Sequence, residues 1–366
     1  MGAGVVGSAA ALALAQRGAS VVILEAKPEP GLAASGTNSG ILHTGFDSPP
    51  GELETELILR AAQLRDPLLD TLGLPVLRCG ALLRPLEESE RATVARLADN
   101  ARANGVVAVL RPDGALEVPG EAATDPVAFT LALAAAAERH GAELRTGFRV
   151  AAIDRADGGL GLKAESGERL TCRVAANCAG LGADEVARLA GDDSFEVYPR
   201  KGEFLVFDPP EPLERILLPV PTKRTKGVLV FPTVDGKVVA GPTAVDGHDK
   251  GDWSVRPEAR AEILPKAAAM YPPLDSAEPL AAYAGLRPAG HGVNYLIGPS
   301  SACDGLVNVA AIRSTGLTAS LGIAERVCSI VEGLGVRLAA EQPLRPGPTP
   351  SHTGPWWRRT AERLGR

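Results

Sequence analysis

The amino-acid sequence predicts an α/β protein in two parts, a nucleotide-binding domain and an antiparallel β-sheet domain inserted into it. Three observations carry this. A glycine fingerprint, Gly2-Ala3-Gly4-Val5-Val6-Gly7, opens the chain behind a single Met1. Strand-like and helix-like segments then alternate as far as about residue 195 and again from Leu306, the rhythm of a parallel sheet with crossover helices. Between Val197 and Tyr283 the texture changes to short apolar runs split by Pro and Gly, such as Phe204-Leu205-Val206-Phe207, Val228-Leu229-Val230-Phe231 and Val238-Val239-Ala240. That pattern reads as an antiparallel sheet with one covered face.

The fingerprint sets the reading of everything after it. Ser8 to Arg17 reads as a small-residue helix, Ser20 to Leu24 as a buried strand, and Glu25 ends that strand 23 residues after Gly2. Gly2 allows the tight turn, Gly4 lets backbone approach a pyrophosphate, and Gly7 lets the helix pack closely on the sheet. The helix N-terminus then faces the anion, and Glu25 accepts from an adenosine ribose. These are the parts of a Rossmann-like dinucleotide site, except that its first strand, normally ahead of the glycines, is missing here. The expectation is that the natural chain begins upstream of Met1. A secretory leader ending at Ala13-Leu14-Ala15 is the rival reading. It lacks a basic n-region, and helix and strand patterns run straight through it.

Further elements follow in order. A Gly/Ser/Thr/Asn-rich loop spans Ala33 to Gly45, and residues 53–72 look helical. Residues 76–118 read as a mixed insert with a strand at Arg78-Cys79-Gly80-Ala81-Leu82-Leu83. A helix from Pro126 to His140 leads to strands at 143–146 and 148–154, then to a strand at 173–180. Leu306 to Ile312 is a strand and Leu317 to Val331 a helix, and the Pro-rich stretch after residue 341 reads as a flexible tail. The expected division is therefore a discontinuous nucleotide domain (1–75, 121–195 and 288–340), a substrate or cap domain (76–120 and 196–287), and a tail (341–366).

Composition narrows the function classes. A net charge of −6 without a basic stripe argues against nucleic acid as a partner. No apolar run reaches the ~20 residues that span a bilayer. The five cysteines (Cys79, Cys172, Cys178, Cys303, Cys328) are scattered without a CxxC pair, which reads as free thiols in a reducing cytoplasm and gives no metal site.

Motifs are spread along the whole chain. They are the fingerprint with Glu25, the loop Ser35-Gly36-Thr37-Asn38-Ser39-Gly40-Ile41-Leu42-His43-Thr44-Gly45, and Pro49-Pro50-Gly51. Later come Lys201-Gly202-Glu203-Phe204, Phe231-Pro232-Thr233, Gly241-Pro242-Thr243, Ala284-Gly285-Leu286-Arg287-Pro288 and Ser314-Thr315-Gly316-Leu317-Thr318. In these the chain resembles the D-amino-acid-oxidase superfamily of FAD-dependent oxidoreductases. More closely, it is similar to the single-subunit glycerol-3-phosphate dehydrogenase group and its L-2-hydroxyglutarate oxidase relatives. Two residues depart from the family pattern: Arg313, where an acid is common, and Thr315, where a proline is.

The resemblance implies FAD as the cofactor. It implies that Ser35 and Asn38 contact FAD along the loop, that Val150 holds the adenine through its backbone, and that Ala179 and Gly180 meet the pyrophosphate. It also implies that the amides of Gly316, Leu317 and Thr318, opening the last helix, face the flavin, where the helix dipole favours negative charge. The substrate class implied is a small anionic 2-hydroxy compound, first sn-glycerol 3-phosphate oxidised to dihydroxyacetone phosphate, then L-2-hydroxyglutarate, then an amine. Arg287 is the expected anchor, because a guanidinium grips phosphate or carboxylate in a bidentate fork. Arg313, Lys201 and His291 are further expected contacts, Arg313 equally readable as a structural ion pair. His43 is the candidate base; a flavin contact or covalent tether and a purely structural histidine stay open. The electron acceptor expected is a quinone or another oxidant. Trp356-Trp357-Arg358-Arg359 offers a peripheral contact with the inner face of a membrane, the alternative being a solvated tail. A non-catalytic nucleotide-binding remnant and an NAD-linked enzyme are the readings from other classes.

Overall fold

The structure is a computed structural model that describes residues 1–222, 226–348, 350 and 352–364. Its nucleotide half is a layer of short parallel strands under two helices. Val22–Leu24 pairs with Glu143–Arg145, and Ala175–Asn177 pairs with Leu306–Ala310, both in parallel. These two groups are separate sheets. Met1 and Gly2 stand between them: the Met1 ammonium donates to the Ala176 carbonyl at 2.8 Å, Cys178 N–H donates to the Met1 carbonyl at 2.9 Å, and Gly2 N–H donates to Leu24 O at 2.7 Å. Two residues thus do the bridging that a whole strand does in a complete Rossmann sheet.

The helices above this layer are Val5–Gln16 and Gly316–Gly333. Both are rich in Ala and Gly, so they approach closely, and Ala9, Ala11, Leu12, Leu317, Leu321 and Ala324 share one aliphatic core. Pro126–Arg139 adds a third helix, started by Asp125, whose carboxylate accepts from the Val127 and Ala128 amides at 2.9 Å. Proline at the first position of that helix needs no donor there.

The second layer is one large sheet. In order it contains Val245–Asp246, Val197–Phe207, Val238–Gly241, Leu229–Pro232, Ile216–Leu218, Ala81–Leu83, Leu116–Val118 and Val109–Leu110, with Ala281–Gly290 also paired to Val197–Phe207. It is antiparallel throughout except where Ile216–Leu218 runs parallel to Ala81–Leu83, a pairing no local pattern announces. The strand expected at 78–83 breaks at Gly80, whose φ of +67 turns the chain. Of that strand only Ala81–Leu83 is formed, in the large sheet, while Val76–Leu77 just before it joins a small sheet with Ala122–Thr124 and Ile41–Leu42. The strand expected at 173–180 is shorter, Ala175–Asn177, and is preceded by a separate strand, Arg169–Cys172, that the reading did not mark.

Two helices escaped the reading of the insert regions, Arg91–Ala103 and Ala259–Met270. The expected flexible tail also differs. Residues 349, 351, 365 and 366 lie outside the described residues, but Trp356–Leu364 forms a helix. Trp356 is 1% exposed and stacks edge-on against Tyr283, and Trp357 donates to Asp235. Arg359 pairs with Glu29, and the Thr360 hydroxyl donates to the Gly36 carbonyl. Both tryptophans are thus spent inside the protein rather than held out for a lipid surface. No helix among the described residues is long and apolar enough to cross a membrane.

Candidate functional site

The fingerprint turn is too tight for any side chain. Gly2 has a φ of +96, and a Cβ on it would lie 2.5 Å from the Cys178 carbonyl oxygen. A Cβ on Gly7 would lie 2.0 Å from the Gly2 carbonyl oxygen, and one on Gly4 3.1 Å from Ser35 Oγ. Ser35 Oγ accepts from Val5 N–H at 2.9 Å, which ties the later loop to the first helix. Glu25 holds the turn from the other side, with Oε2 accepting from Ala3 N–H at 2.7 Å and Oε1 from Lys27 N–H at 2.8 Å. A carboxylate has about four acceptor positions, so Glu25 keeps capacity for a hydroxyl. Val150 packs in the same cluster as Met1 and Val22. Ala179 and Gly180 follow directly on Cys178, so the two expected pyrophosphate contacts adjoin the turn.

The Ser35–Gly45 loop crosses from this turn to the last helix. Asn38 accepts from Gly40 N–H through Oδ1 at 2.9 Å and donates through Nδ2 to the Ser314 carbonyl at 3.4 Å. His43 N–H donates to Thr318 Oγ1 at 3.2 Å, and the Thr318 hydroxyl donates to the Ile41 carbonyl at 3.3 Å. Gly316 sits against Ile312 and Val6, and Leu317 enters the aliphatic core. Neither the Val5–Gln16 nor the Gly316–Gly333 helix is capped by the side chain of its own N-cap residue, and neither carries an acid in its first turn. Both present amide donors and the positive end of a dipole to the same region.

His43 brings a partner that the sequence reading missed. Its Nδ1 lies 2.8 Å from Glu121 Oε2, and Glu121 Oε1 accepts from the Thr44 N–H at 2.7 Å and the Thr44 hydroxyl at 2.8 Å. Glu121 is fully buried. Arg65 donates to the His43 carbonyl and to the Gly120 carbonyl, each at 2.8 Å; burial is the main influence pulling its guanidinium below the usual value. The one sequence signal for Glu121 was a lone acid among small residues, Pro119-Gly120-Glu121-Ala122-Ala123. A second missed feature is the ion pair of Asp47 with Lys226 at 2.5 Å. Burial works against the Asp47 carboxylate, yet Lys226 and His43 outweigh it and hold its pKa down.

The four expected anion contacts separate clearly. Lys201 donates to Asp252 at 2.6 Å and to the Ser254 carbonyl at 3.0 Å, so its charge is already compensated. Arg313 donates to Asn294 at 3.0 Å and stands 3.6 Å from Glu54, the structural ion pair that was its alternative reading. His291 is exposed and stacks on Tyr198 at 4.4 Å. Arg287 differs from these. Its Nε donates to the Arg200 carbonyl at 3.1 Å and one Nη to the Lys201 and Thr243 carbonyls at 3.0 and 2.8 Å. Among the described residues no carboxylate forms a salt bridge with it. Burial and then the nearby charge of Arg200 bring its pKa down to about 10 against the opposing pull of Asp246. Arg287 lies two residues from Gly285, where a Cβ would stand 2.9 Å from Thr37 Oγ1. Its strand therefore abuts the same loop that carries His43.

Glycine turns, two helix starts and a small-residue strand end converge here. The chain belongs to the FAD-dependent oxidoreductases of the DAO family, whose model matches residues 1–330. FAD is the cofactor of this family, and the turn fits it: a Cβ at Gly2 or Gly7 would collide with the backbone, so the turn can close tightly at the start of the first helix. Among its relatives is the glycerol 3-phosphate dehydrogenase of Caloramator mitchellensis, 28% identical over 364 residues, covering 94% of this chain and 76% of that one. The mitochondrial L-2-hydroxyglutarate dehydrogenase of Mus musculus is 27% identical over 293 residues, covering 70% and 63%. In structure the chain is similar to dithionite-reduced L-alpha-glycerophosphate oxidase from Mycoplasma pneumoniae with FAD bound. That match has a TM-score of 0.84 and 27% identity, and covers 95% of this chain and 96% of the other.

Proposed function

We propose that this protein oxidises sn-glycerol 3-phosphate to dihydroxyacetone phosphate. The observation that carries the reading is Arg287: a half-buried cation held by three carbonyls, with no salt-bridged carboxylate among the described residues, suits an anionic ligand. The substrate phosphate occupies that position. His43, reached by the loop that Arg287's strand abuts, takes the hydroxyl proton. FAD, when bound, would supply the oxidising power. Gly2, Gly4, Gly7 and Glu25 hold the adenosine and pyrophosphate end together with Val150, Ala179 and Gly180. Ser35 and Asn38 would contact the cofactor along that loop, and the amides of Gly316, Leu317 and Thr318 would donate to its flavin end. Relatives named glycerol 3-phosphate dehydrogenase and glycerol 3-phosphate oxidase, the latter from Mycoplasma pneumoniae at 28% identity, support this substrate.

L-2-hydroxyglutarate is the second reading, supported by the relatives of that name and by the equal fit of a guanidinium to carboxylate. Anaerobic flavin bleaching with each compound separates the two. Fast bleaching by glycerol 3-phosphate alone upholds the first reading, and bleaching by L-2-hydroxyglutarate alone replaces it. Reoxidation of the bleached enzyme with oxygen and with a soluble quinone then identifies the acceptor.

A further inference from the structure

We propose that Glu121 is a positioning residue for the oxidation: it locks His43 in the tautomer that leaves Nε2 free to receive the substrate's hydroxyl proton. The proposal rests on the base role given to His43 above. Glu121 Oε2 lies 2.8 Å from His43 Nδ1. An ionised carboxylate only accepts, so its partner nitrogen must carry the hydrogen. Every other recorded contact of the carboxylate is also a donor, the Thr44 amide at 2.7 Å and the Thr44 hydroxyl at 2.8 Å, both to Oε1. The neutral imidazole then has Nδ1–H and a bare Nε2.

The surroundings keep this arrangement fixed. The backbone of His43 is held at its N–H by Thr318 and at its carbonyl by Arg65. Arg65 also donates to the carbonyl of Gly120, the residue before Glu121. One guanidinium thereby holds the two chain segments at a set separation, with the Nδ1–carboxylate contact between them. The histidine side chain retains 18% exposure while Glu121 has none, so the ring stays partly open while its Nδ1 meets the buried carboxylate. The proton from the substrate O–H goes to Nε2, the ring becomes an imidazolium, and the carboxylate at Nδ1 compensates its charge without becoming protonated. The same division of labour between an orienting acid and a histidine operates in hydrolytic triads. Release of that proton to solvent resets the pair.

Glu121→Gln, His43→Asn and the double variant, each as FAD-loaded protein, provide the test. In Glu121→Gln the amide can donate to Nδ1, which moves the ring hydrogen to Nε2. Limiting flavin reduction by glycerol 3-phosphate is expected to fall by about 100-fold or more, the scale of lost general-base catalysis. The substrate dissociation constant should stay within about threefold, and in the His43→Asn background the Glu121 change should cost less than about threefold. Nitrogen-15 NMR of histidine-labelled protein reads the tautomer directly: Nδ1–H in the unaltered protein, Nε2–H in Glu121→Gln. Reduction by Glu121→Gln within threefold of the unaltered rate, an undiminished Glu121 effect without His43, or an Nε2–H tautomer in the unaltered protein each overturns the proposal. The last measurement holds even should the variant fail to fold. Full-rate reduction by His43→Asn instead removes the base reading itself, whereas a slow His43→Asn beside a fast Glu121→Gln removes only the role of Glu121.

Discussion

Arg287 offers the sharpest check on the substrate reading. Arg287→Met keeps much of the side chain's bulk and removes the charge. Losing one partner of a buried, hydrogen-bonded charge pair costs roughly 2–5 kcal/mol. At about 1.36 kcal/mol per decade, kcat/KM for glycerol 3-phosphate should fall between about 30-fold and several thousand-fold. Arg287 holds a group remote from the reacting carbon, so the loss should fall mainly on KM, with kcat less affected. Glycerol lacks the phosphate and never meets that charge. Its far slower oxidation should therefore be nearly unchanged by the substitution. The variant also leaves the carbonyls of Arg200, Lys201 and Thr243 without their donor, so thermal unfolding is recorded alongside the kinetics. Steady-state rates for both alcohols, and protection of the flavin spectrum by inorganic phosphate, make the measurement. An equal fall for glycerol and glycerol 3-phosphate refutes the reasoning, because Arg287 would then be supporting the sheet rather than the anion.

Three further outcomes are expected. Gly7→Ala places a methyl 2.0 Å from the Gly2 carbonyl oxygen, where ordinary contact begins near 3.4 Å; overpacking of this kind costs about 1–3 kcal/mol, and titration of apoprotein with FAD should show weaker binding by roughly 5- to 150-fold. Trp356→Ala removes a fully buried side chain at a cost of about 3–5 kcal/mol, which for a chain of 366 residues lowers Tm by roughly 4–6 °C; an unchanged Tm in calorimetry would mean the terminal helix is not seated on Tyr283. Hydrogen bonds from Lys201, then Ser254, hold the Asp252 carboxyl at about pH 2, below its usual 3.8. Its stabilisation is therefore present above pH 3.8 and disappears as pH falls toward 2. Because the pair is about half exposed on the Asp252 side, the effect is roughly 0.2–1 kcal/mol, and Asp252→Asn should flatten the decline of Tm across that window by a matching amount.

The sequence by itself determined the nucleotide half of this protein. Glycines at fixed offsets, a small-residue helix, a β-branched strand and an acid at its end are local features, and local sterics dictate what each permits. The expected helix at Ser8–Arg17 and the structural helix Val5–Gln16 differ only at their ends for this reason. Helices and strands interrupted by one residue were harder. Gly80 separates Val76–Leu77 from Ala81–Leu83, and the segment itself carries no mark of which sheet each half will join.

Only the tertiary structure decided which charged residues were already paired. Lys201, Arg313 and Arg287 are alike as letters in the sequence. Asp252 lies 51 residues from Lys201 and Glu54 lies far from Arg313, so compensation depends on contacts that no window contains. The same holds for Glu121, 78 positions from His43, and for the two tryptophans of the terminal helix, which were read as surface-seeking until Tyr283 and Asp235 received them. Pairing and burial are properties of distance in space, and they separate a reactive side chain from a satisfied one of the same type.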